Sequence, residues 1–273
     1  MNKFDELRKD AASRRAFLQR MTAAGLGAAA IALFSPGFQA SLFAKSPSGS
    51  SGGVTPARAK SPFGTIPGRT VNEQALNFAL TLEILEADLY RQALNAASGL
   101  PLTTPLNANA GSYSLAISNG GLPADRTTDA FDYLVQFSYV EVAHRDFLAT
   151  AIQAGGGTPV TANPNGYGFP GGPAADLHTL LVSNILPLEE TGVRAYLGAL
   201  PYITDLSLAQ VAATIFSTEA RHSAVIKYIN FVDPNPNRMA GDQLVISKYP
   251  HPNTLEYFLT PSSVLTKVSV YFK

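Results

Sequence analysis

Two stretches decide the fold: Tyr139-Val140-Glu141-Val142-Ala143-His144 and Thr218-Glu219-Ala220-Arg221-His222. Each contains Glu-x-x-His. Residues three apart share one helix face, so both side chains of a pair can reach one ion. The surrounding residues make that face apolar. One stripe reads Leu134, Phe137, Glu141, His144, Leu148; the other reads Val211, Ile215, Glu219, His222, Ile226. A buried carboxylate is costly unless it is paired or bound to metal. The bland alternative is a surface glutamate beside a core histidine, and both stripes argue against it.

Working outward, helical periodicity begins near Thr70. It predicts helices over about 71–97, 127–154, 174–200 and 207–232. Gly99 with Pro101, Gly155-Gly156-Gly157, and Asp233-Pro234 supply stop signals. Pro187 reads as an interruption of the third helix, or as a kink that aims Glu189. Residues 98–126 read as an irregular insertion and 158–173 as a Pro/Gly loop. The second and third helices are thus joined by a long link, the third and fourth by a short one.

The first and third helices each offer a carboxylate on an inward face. Glu83 lies with Leu76, Ala79, Glu86 and Tyr90; Glu189 lies with Val182, Ile185 and Tyr196. Glu83 to Tyr90 and Glu189 to Tyr196 are both two helical turns. That symmetry favours Glu83 over Glu86 and Glu189 over Glu190. Buried salt bridges to Arg91 or Arg194 are the alternative reading of these acids. Glu86 and Glu190 read as supporting acids or solvated neighbours. Tyr90 and Tyr196 read as packing residues with bonded hydroxyls, and His178 and His251 as structural.

One Glu from each of two helices and Glu-x-x-His from each of two others form a dinuclear carboxylate set. The expected metal ligands are Glu83, Glu141, His144, Glu189, Glu219 and His222. Four carboxylates with two neutral imidazoles carry a charge that two divalent ions cancel. Imidazole and carboxylate donors suit iron, manganese or zinc. The expected cofactor is two divalent ions, iron or manganese first.

These segments, with Leu82-Glu83-Ile84-Leu85-Glu86 and Leu188-Glu189-Glu190-Thr191-Gly192-Val193, resemble the bacterial ferritin-like domain family related to plant desiccation-associated proteins. The likeness covers about residues 70–232 and keeps the four motifs in order. It implies an all-α, ferritin-like four-helix bundle with one long crossover, and a metal site in its core. It implies no particular reaction. Redox chemistry on oxygen or peroxide is one expectation. A non-enzymatic metal-binding or stress-protection protein with a structural metal site is the other.

The ends of the chain read differently. Ser13-Arg14-Arg15-Ala16-Phe17-Leu18-Gln19 and the Ala/Gly-rich apolar run from Met21 to Phe34 resemble a twin-arginine export signal. The run is short for a membrane span, although no clean Ala-x-Ala site follows it, and an uncleaved anchor is the alternative. The expected organisation is 1–44 signal segment, 45–69 flexible linker, 70–232 bundle and 233–273 irregular extension. The extension holds two β-prone runs, Leu244–Ile246 and Val268–Phe272. The expected location is periplasmic or extracellular.

Composition narrows the rest. The 273 residues carry no cysteine, so disulfides and thiolate metal sites are excluded. Net charge is zero and no basic run occurs, which argues against a nucleic-acid partner. The expected partners are metal ions and a small oxidant, with an oligomer left open and no membrane contact once the signal is removed.

Overall fold

A computed structural model describes residues 61–232, 256 and 258–273. The twin-arginine segment, most of the linker and the run Leu244–Ile246 lie outside them. Four helices build the core: α1 (Val71–Ala97), α2 (Ala124–Ala154), α3 (residues 177–199) and α4 (Leu206–Ile229). A shorter helix, α5 (Pro261–Val268), follows. Among the described residues there is no strand, only two isolated β-bridges. The all-α expectation holds.

Local chemistry sets the helix ends. Thr70 caps α1 by accepting from the Glu73 N–H, and Glu73 reaches back to the Arg69 N–H at 2.9 Å. Gly99, at φ +68°, carries the chain out of α1. Gly157 N–H donates to Ile152 O at 2.9 Å behind Gly156 at φ +72°, closing α2 in the same left-handed manner. Asp176 and Asp205 cap the third and fourth helices through Thr179 and Leu208 N–H groups. Where α4 ends, Phe231 adopts φ +56°, unusual for a residue with a Cβ.

The third helix is not interrupted at Pro187. Its first turn, Leu177–Thr179, runs into a π-helical segment, Leu180–Ile185, and then into α-helix from Leu186 to Ala199. Leu186 N–H reaches Leu181 O, five residues back. Pro187 has no N–H and its ring crowds the carbonyl four residues earlier. The wider π turn makes room for it within a continuous helix.

Side-chain bonds fix the directions of the helices. Asn77, early in α1, donates to Thr158 O at 3.1 Å and accepts from Val160 N at 2.9 Å, just beyond the end of α2. Thr204, between α3 and α4, donates from its N–H to Asn72 at 3.0 Å. At the opposite end, His178 near the start of α3 meets Asn230 after α4 at 2.9 Å, in keeping with its structural reading. The link 155–176 therefore runs the length of the bundle, the expected long crossover. α1 packs chiefly on α2 and α3 on α4.

Two segments are more ordered than their composition suggests. Phe63, at the end of the stretch read as linker, is fully buried and its ring lies 5.4 Å from that of Phe78. The β-prone run Val268–Phe272 instead ends α5 and forms a 3-10 turn, Ser269–Tyr271. Val264 and Val268 are buried, and α5 packs on α3. The β-branched residues are spaced to face the bundle at helical period, and burial outweighs their strand preference. Gly198 lets this extension approach, since a Cβ there would lie 1.7 Å from Leu259 O.

Candidate metal centre

Glu83 and Glu86 sit in the middle of α1, Glu141 and His144 in α2, Glu189 and Glu190 in α3, Glu219 and His222 in α4. All six glutamates and His222 are buried; His144 is 12% exposed. The bundle gathers the six residues expected from the sequence into two overlapping groups. One is Glu83, Glu141, His144 and Glu219; the other is Glu141, Glu189, Glu219 and His222. Within each group the donor atoms lie within 4.8 Å of one another. Glu141 and Glu219 belong to both.

The contacts inside these groups are close and poorly directed. His144 Nδ1 is 3.4 Å from Glu83, 3.3 Å from Glu141 and 3.2 Å from Glu219. His222 Nδ1 is 3.0 Å from Glu141 and 3.4 Å from Glu189. Glu141 turns one oxygen, Oε2, to His144 and the other, Oε1, to His222. None of these approaches has hydrogen-bond geometry. Among the described residues, ten buried side-chain polar atoms lack a hydrogen-bond partner, and eight of them are here. They are both oxygens of Glu141 and Glu219, one oxygen each of Glu83 and Glu189, and Nδ1 of both histidines. Leaving so many polar atoms unpaired is costly. Nitrogen and oxygen donors at about 2.1 Å around one small cation stand about 3.0–3.4 Å apart, which is the spacing observed. The donor set is compatible with a metal site.

The remaining oxygen of each outer glutamate is held by a tyrosine from the facing helix. Tyr196 on α3 donates to Glu83 at 2.6 Å, and Tyr90 on α1 donates to Glu189. The seven-residue spacing seen in the sequence is therefore a reciprocal pair of cross-helix bonds. Each aims one free oxygen of its glutamate inward.

Electrostatics reflect the crowding. Burial, followed by the charges of Glu141 and Glu189, pushes Glu219 well above the usual carboxylate range. Burial also raises Glu83, although His144 counteracts it. Burial would raise Glu141 as well, but the imidazoles of His144 and His222 close beside it overcome burial and hold this acid at about 2. Burial disfavours imidazolium, yet Glu189 and Glu141 lift His222 to about 10. His144 is raised well above its ordinary value, with Glu83 the main favourable influence against burial.

The two adjacent acids differ from each other. Glu86 belongs to neither group; burial and then the charges of Glu219, Glu83, Glu141 and Glu189 raise it strongly. Gly192 gives it room, since a Cβ there would stand 3.3 Å from Glu86 and 3.2 Å from Glu219. Glu190 instead enters a buried ion cluster. It accepts from Arg194 at 3.2 Å and from Ser223, and pairs with Lys227. Arg194 also meets Glu256 of the C-terminal extension at 3.3 Å. The alternative pairings of Glu83 with Arg91 and Glu189 with Arg194 do not form: Arg91 pairs with Asp88, and Arg194 with Glu190 and Glu256. Lys227 was legible in principle, because 219, 222, 223, 226 and 227 share one face of α4. Glu256 carried no such signal.

Four helices, one long crossover and a core of paired Glu-x-x-His motifs define a ferritin-like carboxylate bundle. The ferritin-like domain matches residues 72–230. The chain belongs to the ferritin-like domain family. No curated protein matches it.

Proposed function

We propose that the chain binds two divalent metal ions, iron or manganese, in the bundle core. Glu83 and His144 would help to hold one ion and Glu189 and His222 the other, with Glu141 and Glu219 belonging to both groups. The convergence of eight partnerless donor atoms carries this reading. When bound, such a pair of ions supplies two-electron redox chemistry toward a small oxidant, oxygen or peroxide. The protein's own part is to hold and to insulate. Tyr90 and Tyr196 fix the outer glutamates, the apolar stripes exclude water, and Glu86 lies buried beside the cluster.

The N-terminal Ser13–Gln19 motif supports export through the twin-arginine route to the periplasm or beyond. That route carries folded proteins, so the buried site would be filled before export. A role in stress or desiccation protection belongs to the same proposal.

Turnover tests the chemistry. Full-length protein loaded with iron or manganese is expected to consume dioxygen or to decompose hydrogen peroxide. Glu141→Ala is expected to lose that activity while circular dichroism shows an intact helical fold. A loaded, folded wild type that turns over neither oxidant would leave a structural metal site as the function.

A further inference from the structure

The two halves of the centre repeat one pattern but are not packed alike. On α4, Ile215 stands four residues before Glu219; on α2 the corresponding position is Phe137, whose ring stacks on His222 at 3.8 Å and 24°. On α1, Ala79 stands four residues before Glu83; on α3 the corresponding position is Ile185. The Glu83–His144 half thus has the smaller residue at both places.

That missing volume is found as a cavity. A small apolar pocket of about 20 Å³, partly open to solvent, is lined by Ala79, Leu82, Leu148, Tyr196, Ala212 and Ile215 among others. Leu82 adjoins Glu83 in sequence, Leu148 is one turn beyond His144, and Ile215 is one turn before Glu219. Tyr196 is the sole lining residue with a polar side-chain atom, and its hydroxyl is engaged by Glu83. The pocket therefore adjoins Glu83 through Tyr196, and its lining offers little that would hold water or peroxide by hydrogen bonds. Enclosed apolar spaces stay dry and accept small apolar molecules such as xenon, and the lining of this partly open pocket is apolar in the same way.

We propose that this cavity is a binding site for a small apolar molecule without hydrogen-bonding groups. In the working protein that molecule is dioxygen, held at the Glu83–His144 half. The assignment to dioxygen rests on the redox reading above; the cavity as a gas site does not.

Xenon probes the site directly, in crystals under xenon pressure or by methyl shifts in solution. Wild type is expected to bind xenon here with or without metal. Ala212→Leu and Ala79→Ile fill the space from different helices, so one remains informative if the other fails to fold. Each is expected to abolish xenon binding. Each is also expected to slow dioxygen consumption by the iron-loaded protein at least about tenfold, with iron per chain unchanged. A wild type that consumes dioxygen but binds no xenon overturns the cavity proposal alone, as do filled variants that exclude xenon yet consume dioxygen at the wild-type rate. A wild type that binds xenon but consumes no dioxygen overturns the dioxygen assignment together with the redox reading.

Discussion

Without metal, Glu219→Gln is expected to be more stable than wild type, and with metal, less stable. Glu219 is fully buried among Glu141, Glu189 and Glu83, and its carboxyl is held well above the ordinary range by burial and those charges. Gln keeps the shape and removes the ionisable group. Relieving a buried charge in such surroundings is worth on the order of 1–4 kcal/mol. For a domain of this size that is a rise in Tm of several degrees. The same change removes one oxygen donor from both ligand groups, so the stabilisation that metal binding gives the folded state is lost. Melting curves of both proteins, chelator-treated and metal-loaded, read the crossover. A chelator-treated variant that melts below wild type would mean that Glu219 has a stabilising partner other than metal.

Arg194→Met is expected to have the largest effect outside the centre. Arg194 is fully buried, and Glu190 and Glu256 both depend on it. With Met in its place, Glu190 keeps Lys227 among the described residues, and Glu256 loses its ion pair with Arg194. Removing one partner of a buried ion cluster costs about 3–5 kcal/mol. The loss should appear in the guanidinium midpoint. It should also appear as faster proteolysis around Glu256, because the extension is tied to α3 through this side chain and through Leu259 N–H to Arg194 O at 3.2 Å. A cost below about 1 kcal/mol would show that the cluster behaves like a solvated surface pair.

Much of the centre was legible because its residues obey helical arithmetic. Glu-x-x-His in an apolar stripe gives two donors on a buried face, and the bundle needed only to bring four such faces together. The seven-residue Glu–Tyr spacing favoured Glu83 over Glu86 and Glu189 over Glu190, and Glu86 and Glu190 fall outside both groups that could hold a metal ion. What the spacing could not reveal is that each tyrosine serves the glutamate of the other helix. That is a tertiary fact, set by how α1 and α3 face one another.

The misreadings also have physical causes. Pro187 is a reliable helix breaker only while the helix stays α; six π-helical residues before it remove the clash. Val268–Phe272 is β-branched and aromatic, yet among the described residues its β pairing is limited to the isolated bridge of Phe272 to Tyr167, and the rest packs as the end of α5 and a 3-10 turn. Phe63 sits in a stretch of Ser, Pro and Gly that reads as linker, but one large apolar side chain is enough to anchor it. The Glu190–Arg194–Lys227–Glu256 cluster joins residues from three separate segments, and local periodicity does not report such a meeting.

Elemental analysis tests the central claim most directly. Full-length protein, purified without chelator, is measured for metal per chain beside His144→Ala/His222→Ala. About two ions per chain are expected for a dinuclear carboxylate site, largely lost in the double variant while its helical content remains. A well-folded wild type that stays metal-free after incubation with iron, manganese and zinc would contradict the account, and its eight partnerless donor atoms would need another explanation.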